Sequence, residues 1–139
     1  MHIGLGTFYP ILVEDLSKHK MESEQVIIPV KASEQINAAK KENKKICAIG
    51  TSVMRTLESS VSTKNEIIPF EGWTNIFLFP PYNFKTANCM LTNLHLPKSA
   101  LMMQVAAFCG LDPLKKAYKE AVKKIQIHKT KNIARRNCN

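Results

Sequence analysis

The chain has 139 residues, 45% hydrophobic and 22% charged, with a formal net charge of +9. Such a length and apolar content suit one domain with a core of its own, and no internal repeat or low-complexity stretch suggests otherwise. Residues 1–112 carry 11 Lys or Arg against 10 Asp or Glu, while residues 113–139 carry 9 against 1. The basic character is therefore expected in the tail rather than on a broad nucleic-acid-binding face.

In chain order, Thr7 to Val13 reads as a short extended piece and Gln25 to Val30 as a strand. Ser33 to about Asn43 reads as a helix capped by Ser33. Lys45 to Gly50 is a short apolar strand ending in Gly, after which Thr51 or Ser52 caps a helix to about Ser60. Ile67 to Phe70, Thr74 to Phe79 and Cys89 to Asn93 are further extended segments, rich in β-branched and aromatic residues. Ser99 is a natural N-cap for Ala100 to Cys109, a run with no charge and only Gln104 polar, so this helix is expected to be buried. Asp112-Pro113 opens a last helix in which Leu114, Ala117, Tyr118, Ala121, Val122 and Ile125 keep helical spacing, with lysines opposite. Ile127 to Asn139 shows no sustained period, which predicts a basic, disordered tail at 127–139.

Alternating short strands and helices argue an α/β fold with a partly parallel mixed sheet and flanking helices. Two polar clusters then fall at strand-to-helix junctions, Gly50-Thr51-Ser52 with Arg55 and Glu58, and Asn93 to His95 with Lys98 and Ser99. In open α/β sheets ligands bind at the carboxyl ends of strands, so both junctions are expected to open at one edge. Spacing alone also fits a plainer account. Ser99 after Pro-Lys is an ordinary helix start, Arg55 and Glu58 are placed to pair along one helix, Trp73 suits a core, and Gly4 with Gly6 is no dinucleotide fingerprint.

Four cysteines, at 47, 89, 109 and 138, show neither zinc-site spacing nor a disulfide framework, so no metal is expected. Cys47 and Cys109 lie in apolar stretches, where a reduced thiol packs as a small hydrophobe. No segment reaches the ~20 consecutive apolar residues of a membrane span and no apolar signal core opens the chain. A cytoplasmic protein without membrane contact is expected.

Several segments, in order, resemble one family. Leu91 to Leu101 is similar to the Thr-Asn-x-His-Leu-Pro-x-Ser signature of the S-adenosylmethionine:tRNA ribosyltransferase-isomerases. His2 to Phe8 resembles their His-x-Gly-x-Gly-Thr-Phe turn, Met21 to Glu24 their Met-x-Ser-Glu, and Gly50 to Ser59 their Gly-Thr-Thr-x-Val-Arg-x-Leu-Glu-Ser. Gly72 to Phe77 and Pro80 to Phe84 resemble the Gly-Trp-Thr-Asp-Ile-Phe and Pro-Gly-Tyr-x-Phe elements, with Pro81 in place of a Gly. The likeness runs from His2 to about Lys124 and departs in the tail. It implies that residues 1–126 correspond to the C-terminal α/β portion of a larger two-domain enzyme, a monomer when complete.

The resemblance implies queuosine biosynthesis. The ribosyl part of S-adenosylmethionine passes to the 7-aminomethyl-7-deazaguanine at the wobble position of a tRNA and rearranges to epoxyqueuosine, releasing adenine and methionine. Such chemistry needs a base beside the sulfonium, an acid for departing adenine, and dipoles for a carboxylate and hydroxyls. His95 titrates in the useful range, and Glu58 or Glu24 could share the task if buried. Arg55, Lys98 and helix N-termini suit carboxylate or phosphate. Gly4, Gly6, Thr7, Thr51, Ser52, Trp73, Thr74, Thr92, Asn93 and Ser99, in the matching motifs, complete the implied binding set, Trp73 as a base-stacking group. The alternatives are a truncated inactive relic and a nucleic-acid-binding module without chemistry.

Overall fold

The computed structural model describes Gly4 and residues 9–136, with residues 125–136 described by backbone alone. Strand β1 spans Glu24–Ile28 and helix α1 spans Val30–Lys41. Pro29 separates them and serves as the N-cap: without an N–H it ends the ladder, and its fixed φ prepares a helix. Ser33 is therefore not the cap expected for it. It lies buried in the first turn, its hydroxyl donating to Val30 O at 2.7 Å.

Strand β2 (Cys47–Ile49) leads into α2 (Thr51–Ser59), and β3 covers Phe70–Thr74. β3 is centred on Gly72-Trp73, between the two extended segments read from the sequence. Gly72 faces Val26 across the ladder, and a Cβ there would stand 3.2 Å from the Phe70 ring, so a strand glycine keeps this approach open. Strand β4 (Cys89–Leu91), α3 (Ala100–Cys109) and α4 (Leu111–Arg136) complete the order. The helical backbone of α4 runs past Ile125 to Arg136, and no Gly or Pro follows Pro113 to interrupt it; residues 137–139 of the expected tail lie outside the described residues.

The fold is α/β, with its pairing divided between two small ladders. β1 and β3 are antiparallel, Glu24 opposite Thr74 through Ile28 opposite Phe70. β2 and β4 are parallel, Cys47 opposite Cys89 and Ile49 opposite Leu91. α2 stands between two core clusters. Its Leu57 packs with Ile28 and Ile67, and its Met54, wholly buried, packs with Ala48 and Ala87. Burying a side chain such as Met54 contributes about 1.5–3 kcal/mol.

Two burial expectations are corrected. Of α3 only Ala100, Gln104 and Ala106 are buried; the rest is half-buried or, at Cys109, exposed. Cys47 is exposed as well, because β2 alternates and turns only Ala48 inward. Among the described residues no helix is long and apolar enough to cross a membrane.

Candidate functional site at the β2 and β4 junctions

Parallel pairing sends β2 and β4 out of the ladder at the same edge. Gly50 N–H donates to Leu91 O at 2.8 Å, extending the pairing one residue beyond Ile49. Beyond that point the two chains diverge around a cavity of about 600 Å³, with Ile49, Gly50, Thr51 and Ser52 on one limb and Leu91 to His95 on the other. Leu101 of α3 closes one wall. Apolar walls with a few convergent polar groups are the usual make-up of a small-molecule site.

Gly50, at φ 103°, is the N-cap of α2, a conformation that strains residues bearing a Cβ. Thr51 and Ser52 are therefore the first helical residues rather than caps, and among the described residues no side chain caps the first-turn N–H groups. Gln104 donates from Nε2 to Thr51 O at 2.9 Å, tying α3 to this turn. Opposite, His95 Nε2 lies 2.9 Å from Thr92 Oγ1. Tyr118 of α4 brackets the His95 backbone, accepting from its N–H at 2.6 Å and donating to its carbonyl at 2.9 Å. Burial pulls the His95 imidazole below its ordinary pKa, so the ring is neutral at pH 7 and free to accept a proton.

The other candidate residues have different surroundings. Arg55, one turn after Thr51, does not line the cavity; its Nη1 donates to Glu24 Oε2 at 2.5 Å and its Nη2 to the carbonyls of Glu22 and Thr74, each at 3.2 Å. Arg55 and Glu24 are 3% and 2% exposed, and burial draws the guanidinium pKa down against the pull of Glu24. Gly4 N–H also donates to Glu24, at 2.9 Å. Glu58 does not pair with Arg55. It accepts from Lys85 N–H (3.1 Å), Thr86 N–H (3.0 Å) and Tyr82 OH (3.0 Å), and burial with the Glu58 charge holds the Tyr82 phenol well above its usual range. Thr74 is buried against Ser59, their hydroxyls 2.7 Å apart.

Lys98, at φ 59°, lines a separate cavity with Ile11 to Glu14, and Ser99 is the expected cap, accepting from Met102 N–H at 3.2 Å. Trp73 is 68% exposed on β3, which removes the core reading. His2, Gly6 and Thr7 lie outside the described residues. The junctions thus bring together Thr51, Ser52, Thr92, Asn93 and His95, but not Glu24, Arg55, Glu58, Lys98 or Ser99. The sequence reading missed Tyr118 and Gln104 as supports. Gln104 had a signal, as the one polar residue of an apolar helix.

The sequence model of the family described as queuosine biosynthesis protein matches residues 1–126. The chain belongs to that family. It is 56% identical over 123 residues to an S-adenosylmethionine:tRNA ribosyltransferase-isomerase of Flavobacterium psychrophilum, which covers 88% of this chain and 35% of the relative. The relative of the same name from Clostridioides difficile is 45% identical, with 36% of its length covered. Among solved structures, the S-adenosylmethionine tRNA ribosyltransferase of Thermotoga maritima superposes with a TM-score of 0.65 at 38% identity, over 73% of this chain and 35% of that one. The chain spans about a third of the length of these relatives, and its portion of this queuosine biosynthesis family includes both junctions.

Proposed function

We propose that the junction cavity takes part in S-adenosylmethionine-dependent ribosyl transfer and isomerisation on tRNA. The observation that carries this reading is the parallel register of β2 and β4, which sets an uncapped helix start and a neutral imidazole on facing limbs of one apolar-walled cavity. S-adenosylmethionine is the ribosyl donor and a 7-deazaguanine at the tRNA wobble position the acceptor. His95 takes the proton beside the sulfonium, its ring oriented through Thr92 and its backbone fixed by Tyr118. Thr51, Ser52 and the first-turn N–H groups of α2, with Asn93, hold hydroxyl or carboxylate oxygens. Ile49, Leu91 and Leu94, exposed on the cavity walls, supply apolar contact. Glu24, Glu58 and Arg55 position α2 rather than touch the reacting atoms.

An NMR titration of the chain with S-adenosylmethionine tests the reading. Weak, saturable shifts at Gly50–Ser52 and Leu91–His95 are expected, with the His95→Ala variant losing them. Shifts confined to other segments, or none at millimolar ligand, would sink it. In a system competent for the whole reaction, His95→Gln should reduce adenine release by about 10²–10⁴-fold, the usual contribution of one positioned acid or base.

A further inference from the structure

Separate from the junction cavity, a polar groove of about 460 Å³ runs between the C-terminal turn of α1, the turn at Ser62–Glu66 and the segment at Asn83–Lys85. It continues through Lys40 and Lys85 into a smaller lobe of about 190 Å³ that reaches Lys44 and Asn88. Lys40, Lys41, Lys44, Lys64 and Lys85 stand along its walls, five of the 11 basic residues of 1–112. Among the described residues Glu66 is the one carboxylate lining it, and Glu42 nearby is taken by Lys44 at 2.6 Å. An almost balanced stretch of sequence thus folds into a concentrated positive face.

The groove is held in shape by bonds that leave the outer lysines free of structural duty. Lys40 Nζ donates to Asn65 O and, at 3.0 Å, to Lys85 O, joining all three walls. Asn37 ties α1 to Ile67 by two bonds, donating to its carbonyl at 2.7 Å and accepting from its N–H at 2.9 Å. Beneath, Glu58 anchors the Lys85 and Thr86 N–H groups. Lys41, Lys64 and Lys85 are exposed, and among the described residues no carboxylate is within ion-pair distance of them. A preorganised concave face of this kind loses little entropy when an anion docks.

We infer that this lysine groove binds the phosphate backbone of RNA, as a docking surface distinct from the cavity where the base would react. Exposed ammonium groups suit phosphate oxygens, and Asn65 and Asn83 on the same walls suit phosphate and sugar. An exposed apolar anchor of the kind that fixes a protein partner or enters a membrane is missing from the described lining, where Phe84 packs inward on Phe108. The choice of RNA over other polyanions rests on the proposed reaction at tRNA; the positive groove does not.

Fluorescence anisotropy with labelled tRNA, from about 50 to 200 mM salt, decides the matter for the intact chain, a Lys41→Glu/Lys64→Glu/Lys85→Glu variant, and a Lys115→Glu/Lys116→Glu/Lys119→Glu control on α4. The groove variant is expected to lose at least tenfold in affinity and about two to three units of log–log salt slope, since each phosphate contact contributes roughly 0.7–0.9. The Lys→Arg triple should bind as the parent does, and circular dichroism with a Lys→Gln triple separates loss of charge from loss of fold. An unchanged slope in the groove variant, loss confined to the α4 control, or a parent chain that ignores tRNA would overturn the assignment. The S-adenosylmethionine titration at His95 should be untouched by the groove variant. Failure there with groove binding intact would remove the reaction and leave the docking surface standing.

Discussion

At its first turn α2 lends Thr51, itself 5% exposed, and Ser52 to a cavity of about 600 Å³, and among the described residues no side chain caps the helix start; one turn later, Arg55 and Glu58, 3% and 5% exposed, are held by several partners. The two regions share a helix, a motif and a polar composition, yet one end is open to a ligand and the other is cross-linked to β1 and to the Tyr82–Thr86 segment. Residue type does not tell a ligand group from a core staple. A charged side chain removed from water must find its partners inside the fold, and once it has found them it has little left to offer a ligand.

The largest effect that would break this contrast concerns the Arg55–Glu24 pair. Arg55→Ala should destabilise the chain by about 3–5 kcal/mol, because the buried Glu24 carboxylate loses the guanidinium that balances its charge, whereas an Arg55→Met/Glu24→Leu exchange should cost much less. Chemical denaturation reads both. Near-wild-type stability of Arg55→Ala with ligand binding lost would return Arg55 to the site.

Glu58→Gln should cost less, about 1–3 kcal/mol, and speed hydrogen exchange at the amides of Lys85 and Thr86, which lose a charged acceptor. Unchanged exchange there would mean that Glu58 does not anchor the segment.

At the open end, His95→Gln should leave stability within about 1 kcal/mol while removing proton-transfer capacity. Burial lowers the folded pKa of His95 below its ordinary value, so on acidification the unfolded chain takes up the proton first. Its contribution to stability is complete above the unfolded pKa of about 6.5, declines as pH falls from there toward the folded value, and then levels. Denaturation midpoints of parent and variant across pH 5 to 8 check this. A parent no more acid-sensitive than His95→Gln would place the imidazole in water.

The smallest effect sharpens the geometry that joins the two limbs. Cys47 and Cys89 are register partners, and the neighbouring Cys89 thiol raises the Cys47 pKa. Neighbouring strands lie about 4.7–4.9 Å apart, within the span a disulfide bridges. Oxidised glutathione should close a Cys47–Cys89 bond, two thiols giving up two hydrogens to yield two reduced glutathiones, and peptide mapping should recover that pair. Mixed disulfides alone would show the strands out of register.

Local signals in the sequence determined much of this protein. Ser99 before an uncharged run made α3, Gly50 after an apolar run ended β2, and the segments around Gly50–Ser59 and Leu91–Leu101 carried the family likeness. These are short-range matters of capping, φ preference and residue order, readable without a neighbour. Only the tertiary structure decided that Glu24 and Arg55 meet across 31 residues, that Glu58 turns to the Lys85 amide, and that Tyr118 brackets His95. It also gathered five scattered lysines into one groove, which a count along the chain dispersed into apparent neutrality. Periodicity reports which face of an element is apolar; the partner that a buried polar group finds depends on how distant elements pack, and no local pattern encodes it.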